Sequence, residues 1–167
     1  MKWIGISGSW RKSSPDLERD LHSAVESILD NDDGIVAGGA LGVDFIATEL
    51  ALQRYPDGSH VKVILPTSLE IYSAHYQMRA EEGVITPEQA ENLIRQLETI
   101  NSLGSLVTNN TNTEVNVDTY YQRNMEVVAA SDELRVYQVN GSAGTQDALE
   151  KAEQRGIPVE VLRYEVA

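Results

Sequence analysis

The chain has 167 residues, and its 13 Lys and Arg against 26 Asp and Glu leave a net charge of −13. With 41% hydrophobic and 23% charged residues it has the composition of an ordinary folded domain, which excludes a disordered, collagen-like or disulfide-built chain. It has no cysteine, so thiolate nucleophiles, disulfides and Cys-ligated zinc are excluded and the cytoplasm is the expected compartment. The acidic balance weighs against nucleic acid and against anionic membranes, since both are held mainly by Lys and Arg neutralising phosphates. Met1 to Gly8 does not read as a signal peptide, and no apolar run approaches the roughly 20 residues of a membrane span.

In chain order, Lys2 to Ile6 is a first strand that ends in the turn-forming cluster Ser7-Gly8-Ser9. Ser14-Pro15-Asp16 then supplies a cap and an early Pro for a helix to Asp30, with Leu17, Leu21, Val25, Ile28 and Leu29 on its apolar face. Ile35 to Ala37 is a second strand that runs into Gly38-Gly39-Ala40-Leu41-Gly42-Val43-Asp44, and Phe45 to Leu52 is helical. Val61 to Leu65 is a third strand stopped by Pro66, followed by a helix over Leu69 to Glu82. Thr86-Pro87-Glu88-Gln89 is a capping box that opens an amphipathic helix to about Asn101. From Ser102 to Asp118 the sequence turns polar and predicts a long surface loop. Tyr120 to Ala130 is helical, Leu134 to Val139 is a fourth strand, and Asn140 to Thr145 is a second Gly-rich loop. A helix over Asp147 to Gln154, a Gly156 cap and a last strand from Pro158 to Leu162 complete the pattern. Short apolar runs alternating with helices predict an α/β fold with a mostly parallel sheet of about five strands.

Ligands of such sheets bind beyond the carboxyl ends of the strands, which is where every small-residue cluster of this chain falls. Glycines there let backbone N–H groups approach a ligand, and a helix N-terminus adds partial positive charge suited to phosphate. Either cluster alone equally describes a tight turn. The three histidines, His22, His60 and His75, lack zinc-ligand spacing, and no Lys follows either Gly turn as a P-loop requires. Tyr72, His75, Tyr76 and Arg79 follow the third strand at helical spacing and either line a pocket or divide between core and solvent.

Taken together, Ile6-Ser7-Gly8-Ser9, Gly38-Gly39-Ala40-x-Gly42-x-Asp44, Leu65-Pro66, Arg123-Asn124-Met125 with Ala130-Ser131-Asp132, and Ser142-x-Gly144-Thr145 with Gly156-Ile157-Pro158 resemble the SLOG superfamily. That group holds the LOG cytokinin-activating phosphoribohydrolases, the DNA-processing DprA proteins and YspA-like proteins. The resemblance covers most of the chain as one domain and leaves out 83–118, which reads as an insertion carrying a helix and a polar loop. It implies a Rossmann-like three-layer sandwich that binds a nucleotide-derived ligand, such as a nucleoside monophosphate, ADP-ribose or an NAD derivative.

The residues expected to hold that ligand are Ser7, Gly8, Ser9 and Trp10 after the first strand, then Gly38, Gly39, Ala40, Gly42 and Asp44 after the second. Pro66, Arg123 and Asn124, and Gly141, Ser142, Gly144 and Thr145 complete the set, and no metal is expected. LOG enzymes cleave an N-glycosidic bond with an Arg and a Glu. Arg123 matches the Arg, whereas the position of the Glu is Ala148, so a carboxylate would have to come from Asp44, Glu70 or Asp147. Asp44 equally serves to complement a helix N-terminus. Arg123 either grips phosphate or pairs with Glu126 or Asp132, and Trp10 either stacks on a base or packs over the first helix.

These residues point to a cytoplasmic sensor or carrier of a small nucleotide ligand, without a membrane or nucleic-acid partner and assembled as a homo-oligomer. An N-glycosidase acting on a nucleoside monophosphate is the first alternative, and a DprA-like single-strand binder is the second.

Overall fold

Each apolar run forms a strand because β-branched residues on both its faces can be covered by helices, the condition a parallel sheet requires. The computed structural model describes residues 1–167. The strands are β1 (Trp3–Gly8), β2 (Gly34–Ala37), β3 (Val61–Ile64), β4 (Leu106–Val107), β5 (Glu133–Val139) and β6 (Val159–Tyr164). All pair in parallel in one sheet of order β4-β3-β2-β1-β5-β6, with Ile4 beside Ile35 on one side and Gly5 beside Leu134 on the other. The chain walks outward from β1 to β4, then returns to the far side of β1 for β5 and β6. The reversal between β1 and β5 is a topological switch point, where an open sheet leaves a crevice.

The helices are α1 (Pro15–Asp30), α2 (Val43–Arg54), α3 (Leu69–Glu81), α4 (Pro87–Ser102), α5 (Val117–Ala129) and α6 (Ala143–Arg155). Leu17 and Leu21 of α1, Val43 and Ala47 of α2, Tyr72 of α3 and Leu93 and Leu97 of α4 pack with Ile4, Ile6, Ile35 and Val63 in the larger core. On the opposite face Val128 of α5 and Ala148, Leu149 and Ala152 of α6 pack with Leu134 and Val136. The result is a helix–sheet–helix sandwich of the Rossmann kind. None of its helices is long and apolar enough to cross a membrane.

Capping follows the sequence closely. Ser14 Oγ accepts from the Leu17 N–H at 3.1 Å, and Thr86 and Gln89 exchange both capping-box bonds. Segment 83–118, expected as an insertion of helix and polar loop, contributes α4 and one strand more than the five expected. Leu93, Leu97 and Ile100 are each fully buried, and each such burial contributes roughly 1.5–3 kcal/mol. Within the expected loop, Leu106 pairs with Val63 and Val107 with Ile64. A two-residue strand is too short to display a period of two, so the sequence pattern carries no sign of it. The segment after β4 is tied to the sheet end by Asn112, whose amide donates to the Pro66 carbonyl at 2.9 Å.

The helix starts that differ most from expectation are those of α5 and α6. α5 begins at Val117, where Asn116 and Thr119 form a second capping box, and α6 begins at Ala143, taking Gly144 and Thr145 into its first turn.

Candidate functional site

The strand ends at the switch point enclose a cleft of about 740 Å³, within the range of ligand sites. Its walls are the end of β1 and the segment after it, from Ser7 to Lys12, the β2–α2 turn, parts of α3 and α5, and the β5–α6 turn.

The β2–α2 turn is tightly packed. A Cβ on Gly38 would meet the Arg123 guanidinium at 2.7 Å. Gly39 has φ +73° and backs onto Leu65, while Gly42, also at φ +73°, lies where a Cβ would come 2.4 Å from the Ser9 carbonyl oxygen. Only glycine combines that left-handed backbone with so close an approach. The turn thereby clasps the β1 segment, since the Val43 N–H donates to the same Ser9 carbonyl at 3.1 Å. The Gly39 carbonyl accepts from the buried Tyr72 hydroxyl at 2.9 Å.

The β5–α6 turn is open. Nothing lies within 4 Å of a Cβ placed on Gly141 or Gly144, and Ser142 caps α6 without a side-chain bond. No acidic side chain occupies the first turn of α6, so its free N–H groups and partial positive charge face the cleft. The Ser142 hydroxyl instead donates to Thr145 Oγ1 at 2.8 Å.

Between the two turns, Arg123 on α5 is 8% exposed. Its Nη1 donates to the Gly38 carbonyl, its Nε donates to Asn124 Oδ1 at 3.2 Å, and its guanidinium lies 5.2 Å from the Tyr120 ring centroid. Neither Glu126 nor Asp132 pairs with it; Asp132 accepts from the Trp3 N–H at 2.8 Å. The Asn124 amide donates to the Gly144 carbonyl at 3.2 Å and to Asp147 at 3.0 Å, which fixes the start of α6 against α5.

Asp44, in the first turn of α2, accepts from the Ala40 N–H at 3.2 Å and is 6% exposed. Burial pushes its carboxyl up to about 6, against the pull of Arg123 and of the Ala40 and Gly38 amides. Burial likewise raises the Tyr72, Tyr76 and Tyr120 hydroxyls, so all three stay neutral at physiological pH. The His75 imidazole is lowered, by burial first and by Arg79 second.

Of the residues expected from sequence, the cleft brings together Ser7, Gly8, Ser9, Trp10, Gly38, Ala40, Asp44, Arg123, Asn124, Ser142, Gly144 and Thr145. Gly39, Gly42, Pro66 and Gly141 lie outside its lining. So does Glu70, an exposed residue in the first turn of α3, where a carboxylate complements the helix dipole. Asp147 is turned away and held by the Lys151 ammonium at 2.6 Å, while Ala148 puts a methyl group on the cleft wall. Trp10 stands at the cleft, 43% exposed, with the Arg11 guanidinium 5.7 Å from its ring centroid.

Sequence reasoning missed Lys12, Asn116, Tyr120 and Tyr121, which also line the cleft. The adjacent tyrosines just before Arg123 were the available signal. Tyr76, His75 and Arg79 do reach the lining, whereas Tyr72 is core. The cleft therefore carries Arg11, Lys12, Arg79 and Arg123 against a single carboxylate, Asp44, reversing the charge of the molecule as a whole. Arg79 is itself paired with Glu82 at 2.8 Å, leaving Arg11, Lys12 and Arg123 as the cations facing the cleft without an ion-pair partner within 4 Å.

No curated protein sequence matches the chain. The family described as DNA recombination-mediator protein A matches it over residues 1–167. Among solved structures it is similar to DNA processing protein A from Helicobacter pylori, whose single-stranded DNA binding mode is described as unique. That match has 22% identity and a TM-score of 0.70, and covers 96% of this chain and 64% of the other. DNA processing protein A from Streptococcus pneumoniae matches at 17% identity and TM-score 0.54, over 95% of this chain and 58% of the other. TM1055 matches at 17% and 0.53, over 95% and 72% respectively. The chain thus spans about three fifths of the length of the two DNA processing proteins, and at these identities the likeness is one of fold. These matches agree with the SLOG resemblance of the motifs.

They overturn the expectation that nucleic acid is an unlikely partner, since single-stranded DNA binding is a property of the Helicobacter relative. The expectation failed because net charge averages over the whole surface, whereas a strand senses the cleft it enters.

Proposed function

From the premise that this chain belongs to the DNA recombination-mediator protein A family, we propose that it binds single-stranded DNA in the cleft at the switch point. The observation that carries this reading is the lining itself, where Arg11, Lys12 and Arg123 stand among Trp10, Tyr120 and Tyr121. Single strands are held by cations that track the backbone and by aromatic rings on which bases stack, and that combination tolerates any sequence. The free amides at the start of α6 add donors for a phosphate. Trp10, exposed and backed by Arg11, is the base platform, and the cytoplasm is the compartment in which such a strand is met.

The hydrolase reading has less support. Of the carboxylates it needs, Glu70 lies outside the cleft, Asp147 is bound to Lys151 and Asn124, and Asp44 is buried against the β2–α2 turn. No comparable observation favours a mononucleotide sensor.

Fluorescence anisotropy with a labelled thymidine oligonucleotide tests the proposal. Binding should weaken with salt at a log–log slope of about −2, as contacts from Arg11, Lys12 and Arg123 imply at roughly −0.7 per phosphate for single strands. Absence of salt-sensitive binding, or equal affinity for a duplex, would sink it.

A further inference from the structure

The cleft holds one carboxylate, and gripping DNA gives it no role. Asp44 is fixed to the β2–α2 turn through the Ala40 N–H, and Arg123 is fixed to the same turn through the Gly38 carbonyl. A carboxyl group from α2 and a permanent cation from α5 are thus anchored to one short turn, and both line the cleft. A phosphate drawn to Arg123 must come close to Asp44, and in a site shielded from water that repulsion is weakly screened. We propose that Asp44 is an internal counter-anion whose neutralisation accompanies binding, so that single-stranded DNA is taken up together with a proton and is held more tightly in acid. This inference rests on the single-strand reading above.

The surroundings leave few other groups to carry such a proton. From α5, Asp44 faces Arg123, and Tyr120 lines the same cleft; from α3, the core residue Tyr72 lies near Asp44 while Tyr76, His75 and Arg79 line the cleft; after β1 come Arg11 and Lys12. The three tyrosines are neutral throughout the range that matters. Burial already brings the Asp44 carboxyl up to about 6, within reach of a neighbouring anion at neutral pH. A phosphate beside it favours the protonated form further, so affinity rises as pH falls toward that value and levels off below it. Each unit by which the bound strand raises the carboxyl is worth about tenfold in affinity between the two plateaus. His75 is the competing source, since it too gains positive charge on acidification and lines the cleft.

The experiment uses a thymidine oligonucleotide, whose bases do not titrate between pH 5.5 and 8, with a rhodamine label that is equally silent. Affinity is measured across that range. Calorimetry of the unlabelled strand at pH 7 in two buffers of different ionisation enthalpy counts the protons. Wild-type protein should take up protons and bind about tenfold tighter at pH 5.5 than at pH 8. Asp44→Asn should bind at pH 8 as tightly as wild type does at pH 5.5, with the slope flattened, while His75→Gln keeps the slope. An unchanged slope in Asp44→Asn, a slope lost in His75→Gln, or binding without proton uptake overturns the inference and leaves the single-strand reading standing. Absence of binding at every pH removes both. Should Asp44→Asn not fold, the wild-type proton count and the His75→Gln slope decide the question.

Discussion

The two Gly-rich strand ends look alike in sequence and are opposite in structure. In the β2–α2 turn each glycine is demanded by a neighbour, the Arg123 guanidinium at Gly38, Leu65 at Gly39 and the Ser9 carbonyl at Gly42. Its Ala40 amide already serves the Asp44 carboxylate. In the β5–α6 turn a Cβ on Gly141 or Gly144 would meet open space, and the first turn of α6 has no acidic side chain to answer its free amides. The first turn is a clasp that positions Arg123 and carries the β1 segment with Trp10. The second leaves its amides open toward the cleft. A glycine cluster after a strand therefore does not by itself bind phosphate; it does so only where its amides have no internal partner.

Gly42→Ala tests the clasp most severely, because it adds a left-handed strain to a backbone clash with Ser9. It should cost about 2–4 kcal/mol in denaturant unfolding, whereas Gly141→Ala, with φ +65° and open space, should cost about 1 kcal/mol. Equal losses at the two sites would erase the distinction between the turns. Arg123→Ala removes the cation that the clasp presents, and should weaken oligonucleotide binding by about 2 kcal/mol or more, with Lys at the position restoring only part. Trp10→Ala should weaken it by about 1–2 kcal/mol while leaving the melting temperature unchanged, since the ring stands in solvent at the cleft mouth. A lowered melting temperature would instead assign Trp10 to the packing of the first turn. The smallest effect belongs to Gly144→Ala. It replaces a helical glycine facing open space, so it should raise stability by up to about 1 kcal/mol and change DNA affinity less than threefold.

Much of this architecture is legible before any coordinates. The apolar face of α1, the Thr86–Gln89 capping box and the runs of β1, β2, β3 and β5 each state their element through local periodicity or capping chemistry. β4 is not legible, because two residues carry no period and the strand exists only where Val63 and Ile64 offer it a ladder. For the candidate site, the small-residue strand ends mark the end of the sheet where the cleft opens, and Arg123 lines that cleft. Lys12, Tyr120 and Tyr121 were missed because they belong to a loop and a helix face that sequence spacing cannot aim at a common cleft. Glu70 lies near a strand end in sequence, yet α3 turns it into solvent.

The order of apolar runs, caps and small-residue clusters along the chain is enough to settle the fold class, the end of the sheet at which the cleft opens and the absence of thiol chemistry, since each follows from local chemistry. The sign of the charge that a ligand meets does not follow from any count of residues. A net charge of −13 spread over the outer helices coexists with a cationic, aromatic cleft. Electrostatic potential depends on distances, and only folding brought Arg11, Lys12 and Arg123 from two remote stretches of chain to line one cleft with Asp44.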